Sequence, residues 1–276
     1  MDSVDKNRIR VAVIDMNKGA ANQGMRGIRE ILLRYREDTG IDLSFDVFDL
    51  RAKGECPGLD YEVYISSGGP GSPFDGGGEQ WESDFFDLLG RLAGYNSGHE
   101  LKKHVFLICH SFQLACRWFG VGQVIPRRSS AFGIFPVSLT AEGTGDVVFD
   151  GLPNPFFAVD SRDWQVVCAQ DVRQDNEARV LALEKERPHV DLERCVMAVR
   201  FTDEIVGTQF HPEADPAGMK MYLLQEDKKH AVIASHGERK YLDMLASLDD
   251  PGKLLLTQSQ VLPNFLNQAL NAFQEA

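Results

Sequence analysis

The sequence predicts an α/β fold with a central, mostly parallel β-sheet flanked by helices. Two patterns lead to this prediction. In the first half of the chain, buried strand-like runs alternate with segments of helical periodicity, which is typical of βα units. In the second half, short β segments replace the helices and indicate an antiparallel extension of the sheet. A chain of 276 residues that is 43% hydrophobic can bury a substantial core.

The first half contains four predicted strands and three predicted helices. The strands are expected at residues 9–16, 45–50, 61–66 and 104–108, and the helices at 19–38, 80–92 and 110–119. Each helix carries apolar side chains that recur on one face, and Gly40 ends the first of them. Because parallel sheets bind ligands beyond the carboxyl ends of their strands, the loops there are the candidate functional region.

From residue 122 onwards, the pattern changes to shorter β segments. They are predicted at residues 123–126, 132–139, 147–149, 156–159, 180–183, 196–201 and 204–209. The sequence Phe-Thr-Asp-Glu at 201–204 is expected to form the hairpin turn between the last two segments. These segments predict the antiparallel part of the sheet.

Beyond Pro216 the sequence predicts helices. Asp215 and Pro216 are typical of a helix start, and helical segments follow at 219–230 and 239–248. A final amphipathic helix has apolar residues at Leu262, Phe265, Leu266, Ala269, Leu270 and Phe273. We therefore predict a main domain of residues 1–216 and a helical extension, 217–276, that packs on the same domain. The alternative is a dimer or partner surface.

The charge of the chain argues against a nucleic-acid partner. The net charge is -12, the pI is about 5.0, and no basic cluster is longer than Pro126-Arg-Arg128. No apolar run is long enough to span a membrane, so no membrane partner is expected. Residues 1–10 are polar and lack the apolar core of a signal peptide, which favours a cytoplasmic location.

Cys109 lies between the predicted strand that ends at Ile108 and the helix that begins at His110. A cysteine at such a tight turn projects its sulfur away from the sheet, and the helix N-terminus lowers the thiol pKa towards the nucleophilic thiolate. The alternative is a small core cysteine that ends a strand. The chain has five cysteines without a C-x-x-C pair, which predicts reduced thiols and neither a disulfide framework nor a zinc site.

Two further loops follow predicted strands. Residues 66–73, Ser-Ser-Gly-Gly-Pro-Gly-Ser-Pro, let backbone N–H groups approach a ligand, and one of them can join the N–H of His110 in stabilising an oxyanion. The alternative is an ordinary turn. In Thr208-Gln-Phe-His-Pro-Glu213, Glu213 faces the same way as His211 and can orient it as a base. The alternative is a strand-end histidine beside a solvated carboxylate.

The segments SSGGPGSP, LICHSFQ and GTQFHPE resemble, in order and spacing, the motifs of class I (triad) glutamine amidotransferases. The resemblance covers roughly residues 10–216 and implies the flavodoxin-like fold of that family. It implies that Cys109 is the nucleophile, that His211 is the general base and acid, and that Glu213 orients His211. The backbone of Gly69 and His110 would form the oxyanion hole, and Gln113 matches a position near the glutamine pocket.

The resemblance also implies a reaction. Attack on the side-chain amide of glutamine would release ammonia and leave a γ-glutamyl thioester for hydrolysis, without a metal or organic cofactor. Because the chain shows no P-loop, the enzyme that accepts the ammonia is expected to be a separate synthase subunit. Two alternatives remain, namely a γ-glutamyl peptide or amine hydrolase of the same fold and a catalytically weak regulatory relative. A homodimer is one option for assembly.

Four residues depart from the family pattern. Leu107 and Ser111 occupy positions near the nucleophile where the family usually has glycine, and Leu107 conflicts with a crowded turn. His110 replaces an apolar residue, and it would either favour the thiolate when protonated or point to solvent. Arg162 takes the place of a histidine. It would bind a carboxylate or lie on the surface, and we expect the surface position.

Overall fold

The computed structural model describes residues 8–20, 22–168, 178–187 and 192–275. In this part of the chain nine strands form one mixed sheet in the order β2-β1-β3-β4-β9-β8-β7-β5-β6. The strands are β1 Arg8–Asp15, β2 Asp42–Asp49, β3 Val63–Ser66, β4 His104–Ile108, β5 Gln123–Leu139, β6 Phe156–Val167, β7 Arg179–Glu184, β8 Val196–Arg200 and β9 Ile205–Thr208. Pairing from β2 to β9 is parallel and pairing from β9 to β6 is antiparallel. The predicted fold class is confirmed.

The helices lie on both faces of the sheet. They are α1 Gln23–Thr39, α2 Leu50–Lys53, α3 Gln80–Gly98, α4 His110–Phe119, α5 Ala141–Thr144, α6 Pro216–Leu223, α7 Glu226–His236, α8 Glu238–Leu248 and α9 Pro251–Glu275. The predicted helix start at Pro216 is confirmed, since the Asp215 side chain accepts a hydrogen bond from the N–H of Gly218. None of the helices in the described residues is both long and apolar enough to cross a membrane.

Two details of the second half differ from the prediction. Residues 147–149 form a 3-10 turn instead of a strand, because the Asp146 side chain caps the turn at the N–H of Val148. The strands predicted at 123–126 and 132–139 are one long strand, β5, with an irregularity between Pro126 and Ala131. Pairing along this whole length extends β6 to Val167. Local periodicity does not reveal either feature.

The carboxyl ends of β3, β4 and β9 lie side by side. In the β4 and β9 pair, Ile108 is opposite Thr208, and the N–H of Cys109 donates to the carbonyl of Thr208 at 2.7 Å. β8 and β9 form the predicted hairpin. β9 also pairs with β4, although about a hundred residues separate the two strands. The topology therefore places Cys109 directly beside the chain that leads to His211.

Helix α9 contributes to the main core on the face of the sheet that α1 also covers. Its buried residues include Val261, Leu262, Phe265, Leu266 and Ala269. The ring of Phe265 lies 5.2 Å from that of Phe106 on β4, and the Tyr35 hydroxyl on α1 donates to Asn267 Oδ1 at 2.8 Å. The last helix thus packs on the sheet of the main domain. The division of the chain at residue 216 stays a prediction.

Truncation of Phe265 tests how much α9 stabilises the fold. We expect Phe265→Ala to lower the free energy of unfolding by about 3 to 5 kcal/mol, because the ring is fully buried against β4. Leu255→Ala, on the exposed face of the same helix, should change it by less than about 0.5 kcal/mol. Urea denaturation measures both. Equal effects would show that α9 does not pack on the sheet in solution.

Candidate active site

Cys109 occupies a strained backbone conformation between β4 and α4. Its φ is 50° and its ψ is -97°, a region that residues with a side chain rarely adopt. Such a conformation costs on the order of 1 to 3 kcal/mol and persists only where the surrounding structure imposes it. Here the N–H donates to Thr208 and the carbonyl accepts from the N–H of Gln113 at 3.0 Å. The strand, the turn and the helix together fix this cysteine.

His211 and Glu213 follow β9 and lie against Cys109. The N–H of His211 donates to the carbonyl of Val159 at 2.9 Å, and its Nδ1 lies 2.8 Å from Glu213 Oε1. Glu213 is only 1% exposed. Burial opposes a charge on His211, but the charges of Glu213 and Cys109 outweigh it and raise the pKa of the imidazole well above its ordinary value. The imidazole is therefore held between a thiol and a buried carboxylate.

The glycine loop after β3 approaches both groups. A Cβ atom on Gly68 would lie 2.9 Å from His211 Cε1 and 3.4 Å from Cys109 Cβ, so a side chain there would displace the histidine. A Cβ atom on Gly69 would lie 2.3 Å from the carbonyl oxygen of Met16. Arg51 holds the loop by donating to the carbonyls of Met16 and Pro70 at 3.1 and 2.7 Å. The two glycines allow this close approach.

The structure explains the residues that replace glycine near Cys109. The Ser111 hydroxyl donates to the carbonyl of Ser67 at 2.7 Å and lies 2.7 Å from the hydroxyl of Ser66. Leu107 is buried opposite Gly207 on β9, where a Cβ atom would lie only 3.2 Å from the Cβ of Leu107. Gly207 leaves the space that the leucine needs. The turn therefore accommodates both Leu107 and Ser111.

The side chain of His110 matches neither of its two expected states, a protonated group beside the thiol or a side chain in solvent. It is buried, so it does not point to solvent, and neither ring nitrogen has a hydrogen-bond partner among the described residues. Burial, with a smaller effect of Arg51, lowers the pKa of His110 to about 3. The imidazole is neutral near pH 7 and adds no positive charge beside the thiol. The backbone N–H of His110 belongs to the first turn of α4, which has no intrahelical acceptor for it.

Two buried glutamines link α4 to Cys109. Gln113 Nε2 donates to Gln209 Oε1 at 2.9 Å and to the carbonyl of Trp164 at 3.3 Å. Gln209 Nε2 in turn donates to Cys109 Sγ at 3.5 Å. Gln209 is a functional candidate that the sequence motifs did not assign a role, although it lies two residues before His211 in the same extended segment. That spacing and the alternation of an extended chain were the available signals.

The expected surface position of Arg162 is wrong. Its side chain is only 1% exposed, its Nε lies 2.9 Å from Asp160 Oδ1, and its Nη2 lies 3.7 Å from Glu184 Oε1. β6 folds towards β8, and Arg162 Nη2 lies 3.3 Å from the sulfur of Met197. A buried guanidinium requires such carboxylate partners. Asp160 lies two residues before Arg162 on the same strand, but local sequence could not reveal Glu184 and Met197, because they come from other strands.

Helix α1 packs unusually closely on the segment that carries Glu213. A Cβ atom on Gly27 would lie 2.2 Å from the backbone oxygen of Glu213, and one on Gly24 would lie 2.8 Å from its Oε1. Arg26 on the same helix forms an ion pair with Asp215. The carboxylate of Glu213 thus lies beside the first turn of α1, where the helix dipole favours a negative charge. The glycine face of α1 fixes the position of Glu213.

The chain matches a known protein family. The family model of class-I glutamine amidotransferases matches residues 25–230. No curated protein sequence matches the chain.

Several solved structures have a similar fold. A glutamine amidotransferase from Thermotoga maritima is 18% identical, with a TM-score of 0.68 over 95% of this chain and 98% of that one. A glutamine amidotransferase from Methylobacillus flagellatus is 12% identical, with a TM-score of 0.64 over 95% of each chain. The glutaminase domain of Trypanosoma brucei CTPS with bound acivicin is 13% identical, with a TM-score of 0.56 over 89% and 97%. At such identities the likeness shows the fold alone.

Substitution of Gly27 tests the contact between α1 and Glu213. Gly27→Ala should lower the free energy of unfolding by about 1 to 3 kcal/mol, because the new methyl group overlaps the Glu213 backbone. Gly94→Ala is a matched control in α3, where nothing lies within 4 Å of the added atom, and it should raise stability by about 0.5 to 1 kcal/mol. Urea denaturation compares the two variants. A rise in both would contradict the close packing.

Burial of His110 predicts a specific loss of stability in acid. The unfolded imidazole titrates near 6.5 and the folded one near 3, so below pH 6.5 only the unfolded chain binds the proton. This one residue should remove about 1.4 kcal/mol of stability by pH 5.5. His110→Leu should remove that part of the pH dependence. The check is urea denaturation of both proteins at pH 7.5 and 5.5, and equal losses in both would show that His110 is not held neutral.

Proposed function

This chain belongs to the class-I glutamine amidotransferase family, and on that premise we propose that it releases ammonia from the side-chain amide of glutamine through a thioester on Cys109. One observation carries the proposal. The strained Cys109 lies against His211, and the Nδ1 of His211 is 2.8 Å from the buried Glu213. A nucleophile, a base and a group that orients the base are the parts that acyl transfer requires.

In the proposed first step, the Cys109 thiolate attacks the carboxamide carbon of glutamine. The raised pKa of His211 supports a protonated imidazole, so the proton needed by the leaving group is already on the histidine. The C–N bond breaks, His211 gives its proton to the departing ammonia, and a γ-glutamyl thioester remains on Cys109. Glu213 holds the ring orientation throughout and stabilises the imidazolium.

In the second step, neutral His211 takes a proton from water, and the resulting hydroxide attacks the thioester carbon. The C–S bond breaks, glutamate leaves, and the thiolate and imidazolium pair is restored. Both steps develop negative charge on the substrate oxygen. We propose that the N–H groups of His110 and Gly69 stabilise it, an assignment supported by the first-turn position of His110 and the close approach of the glycine loop.

The released ammonia needs an acceptor. We propose that a separate synthase subunit supplies it, as the resemblance to amidotransferases implies. The cytoplasmic location and a homodimeric assembly stay predictions.

Measurement of ammonia and glutamate release tests the proposed reaction. The purified protein should release both from glutamine, and Cys109→Ala should lower the rate at least about a thousandfold. Glu213→Gln should lower it about a hundredfold or more, because the histidine loses its charged partner. Cys56→Ala, a half-buried cysteine between α2 and β3, is the control and should keep the wild-type rate.

A panel of γ-glutamyl amides and peptides decides between related reactions. We expect glutamine to be the preferred substrate. Activity confined to larger γ-glutamyl compounds would overturn the proposal in favour of a γ-glutamyl hydrolase of the same fold. Glutamine hydrolysis that survives in Cys109→Ala would remove Cys109 from the mechanism altogether.

A further inference from the structure

We propose that Gln209 is a further catalytic residue, whose side-chain N–H group stabilises the Cys109 thiolate, and that Gln113 is a positioning residue that orients the Gln209 amide. This role for the two glutamines rests on the proposed function of Cys109 as the nucleophile. Gln209 touches the reacting sulfur, whereas Gln113 reaches the sulfur through Gln209.

The direction of the Gln209 amide follows from its neighbours. The carbonyl of Trp164 can only accept a hydrogen bond, so the amide group of Gln113 that faces it must be the NH2 end. The same nitrogen also faces Gln209, which must therefore present its oxygen to Gln113. The NH2 end of Gln209 is then left to face the sulfur of Cys109, 3.5 Å away. The backbone carbonyl of Trp164 thus orients the amide of Gln113, which in turn orients the amide of Gln209.

The burial of both amides makes a reversed orientation of Gln209 unfavourable. Gln209 is fully buried and Gln113 is 3% exposed, so bulk water does not compete for their amides. A reversed Gln209 would bring its oxygen against the sulfur and two NH2 groups against each other. Both contacts are unfavourable for buried amides that bulk water does not reach, so the structure strongly favours a single arrangement.

The Cys109 sulfur has two contacts, with Ser161 and Gln209, that have opposite effects on its protonation. The thiol of Cys109 can donate to the carbonyl of Ser161 at 3.7 Å, and this contact favours the protonated form. The N–H of Gln209 favours the thiolate instead, in concert with the charge on His211. The same donor assists the second step of the proposed reaction, when the C–S bond breaks and the sulfur leaves as a thiolate. We infer that Gln209 offsets the Ser161 carbonyl.

The experiment measures the pH dependence of Cys109 alkylation by iodoacetamide. Peptide-resolved mass spectrometry separates Cys109 from the other cysteines, and no substrate is needed. Gln209→Met keeps the approximate volume but removes the donor, and its alkylation profile should shift upward by about one pH unit, a tenfold loss of thiolate. Gln209→Glu keeps the shape but places an anion beside the sulfur, and it should shift the profile further. Thermal unfolding checks that each variant folds.

A double-substitution cycle tests the role of Gln113. Gln113→Met should shift the profile less than Gln209→Met, and the double variant should match Gln209→Met because Gln113 has no separate effect on the sulfur. If the double variant shifts the profile by the sum of the two single-variant shifts, the positioning role of Gln113 is overturned. Unchanged profiles in both Gln209 variants would overturn the catalytic role.

These outcomes are independent of the proposed reaction. If the Gln209 variants shift the alkylation profile of Cys109 as predicted but the wild-type protein does not hydrolyse glutamine, the proposed function fails while the contact between Gln209 and the thiolate stands. If glutamine is hydrolysed and the Gln209 variants keep the wild-type alkylation profile, the proposed function stands and the role of Gln209 fails.

Discussion

The backbone of Cys109 sets the constraint on which the site depends. A positive φ at a residue with a side chain is unfavourable, and the surrounding contacts must maintain it. The parallel pairing of β4 with β9 supplies one of these contacts through Thr208, and the first turn of α4 supplies another through Gln113. The same pairing places His211, which follows β9, beside the sulfur of Cys109. The strain and the approach of the histidine therefore have a common structural origin in the sheet.

Different elements of the fold satisfy several of the buried polar groups around Cys109. β6 offers its free edge, where Val159 accepts from His211 and Ser161 faces the sulfur. Helix α1 confines Glu213 through its glycine face. Because unpaired polar groups are costly away from water, these contacts restrict the side chains to one arrangement. Burial of the apolar core offsets the free-energy cost of ordering the site, and α9 adds the ring of Phe265 to that core.

Sequence patterns predicted the fold because its elements have strong local signals. Alternation of buried strands and amphipathic helices indicated the parallel half, and short β segments indicated the antiparallel half; both are confirmed. The motifs around Cys109 and His211 also indicated which loops contribute to the candidate site. What local patterns could not supply were contacts between distant segments. The burial of Arg162 depends on Glu184, the space for Leu107 depends on Gly207, and the orientation of Gln209 depends on Trp164.

The most direct test of the central claim is covalent labelling by a chloroketone analogue of glutamine, followed by peptide mass spectrometry. The analogue places an electrophilic carbon where the side-chain amide would bind, so it reports both the reactive thiol and glutamine recognition. We predict rapid modification of Cys109, slowed by free glutamine and strongly reduced in His211→Asn. Modification of another cysteine, or labelling of Cys109 that glutamine does not slow, would contradict the assignment of this site to glutamine chemistry.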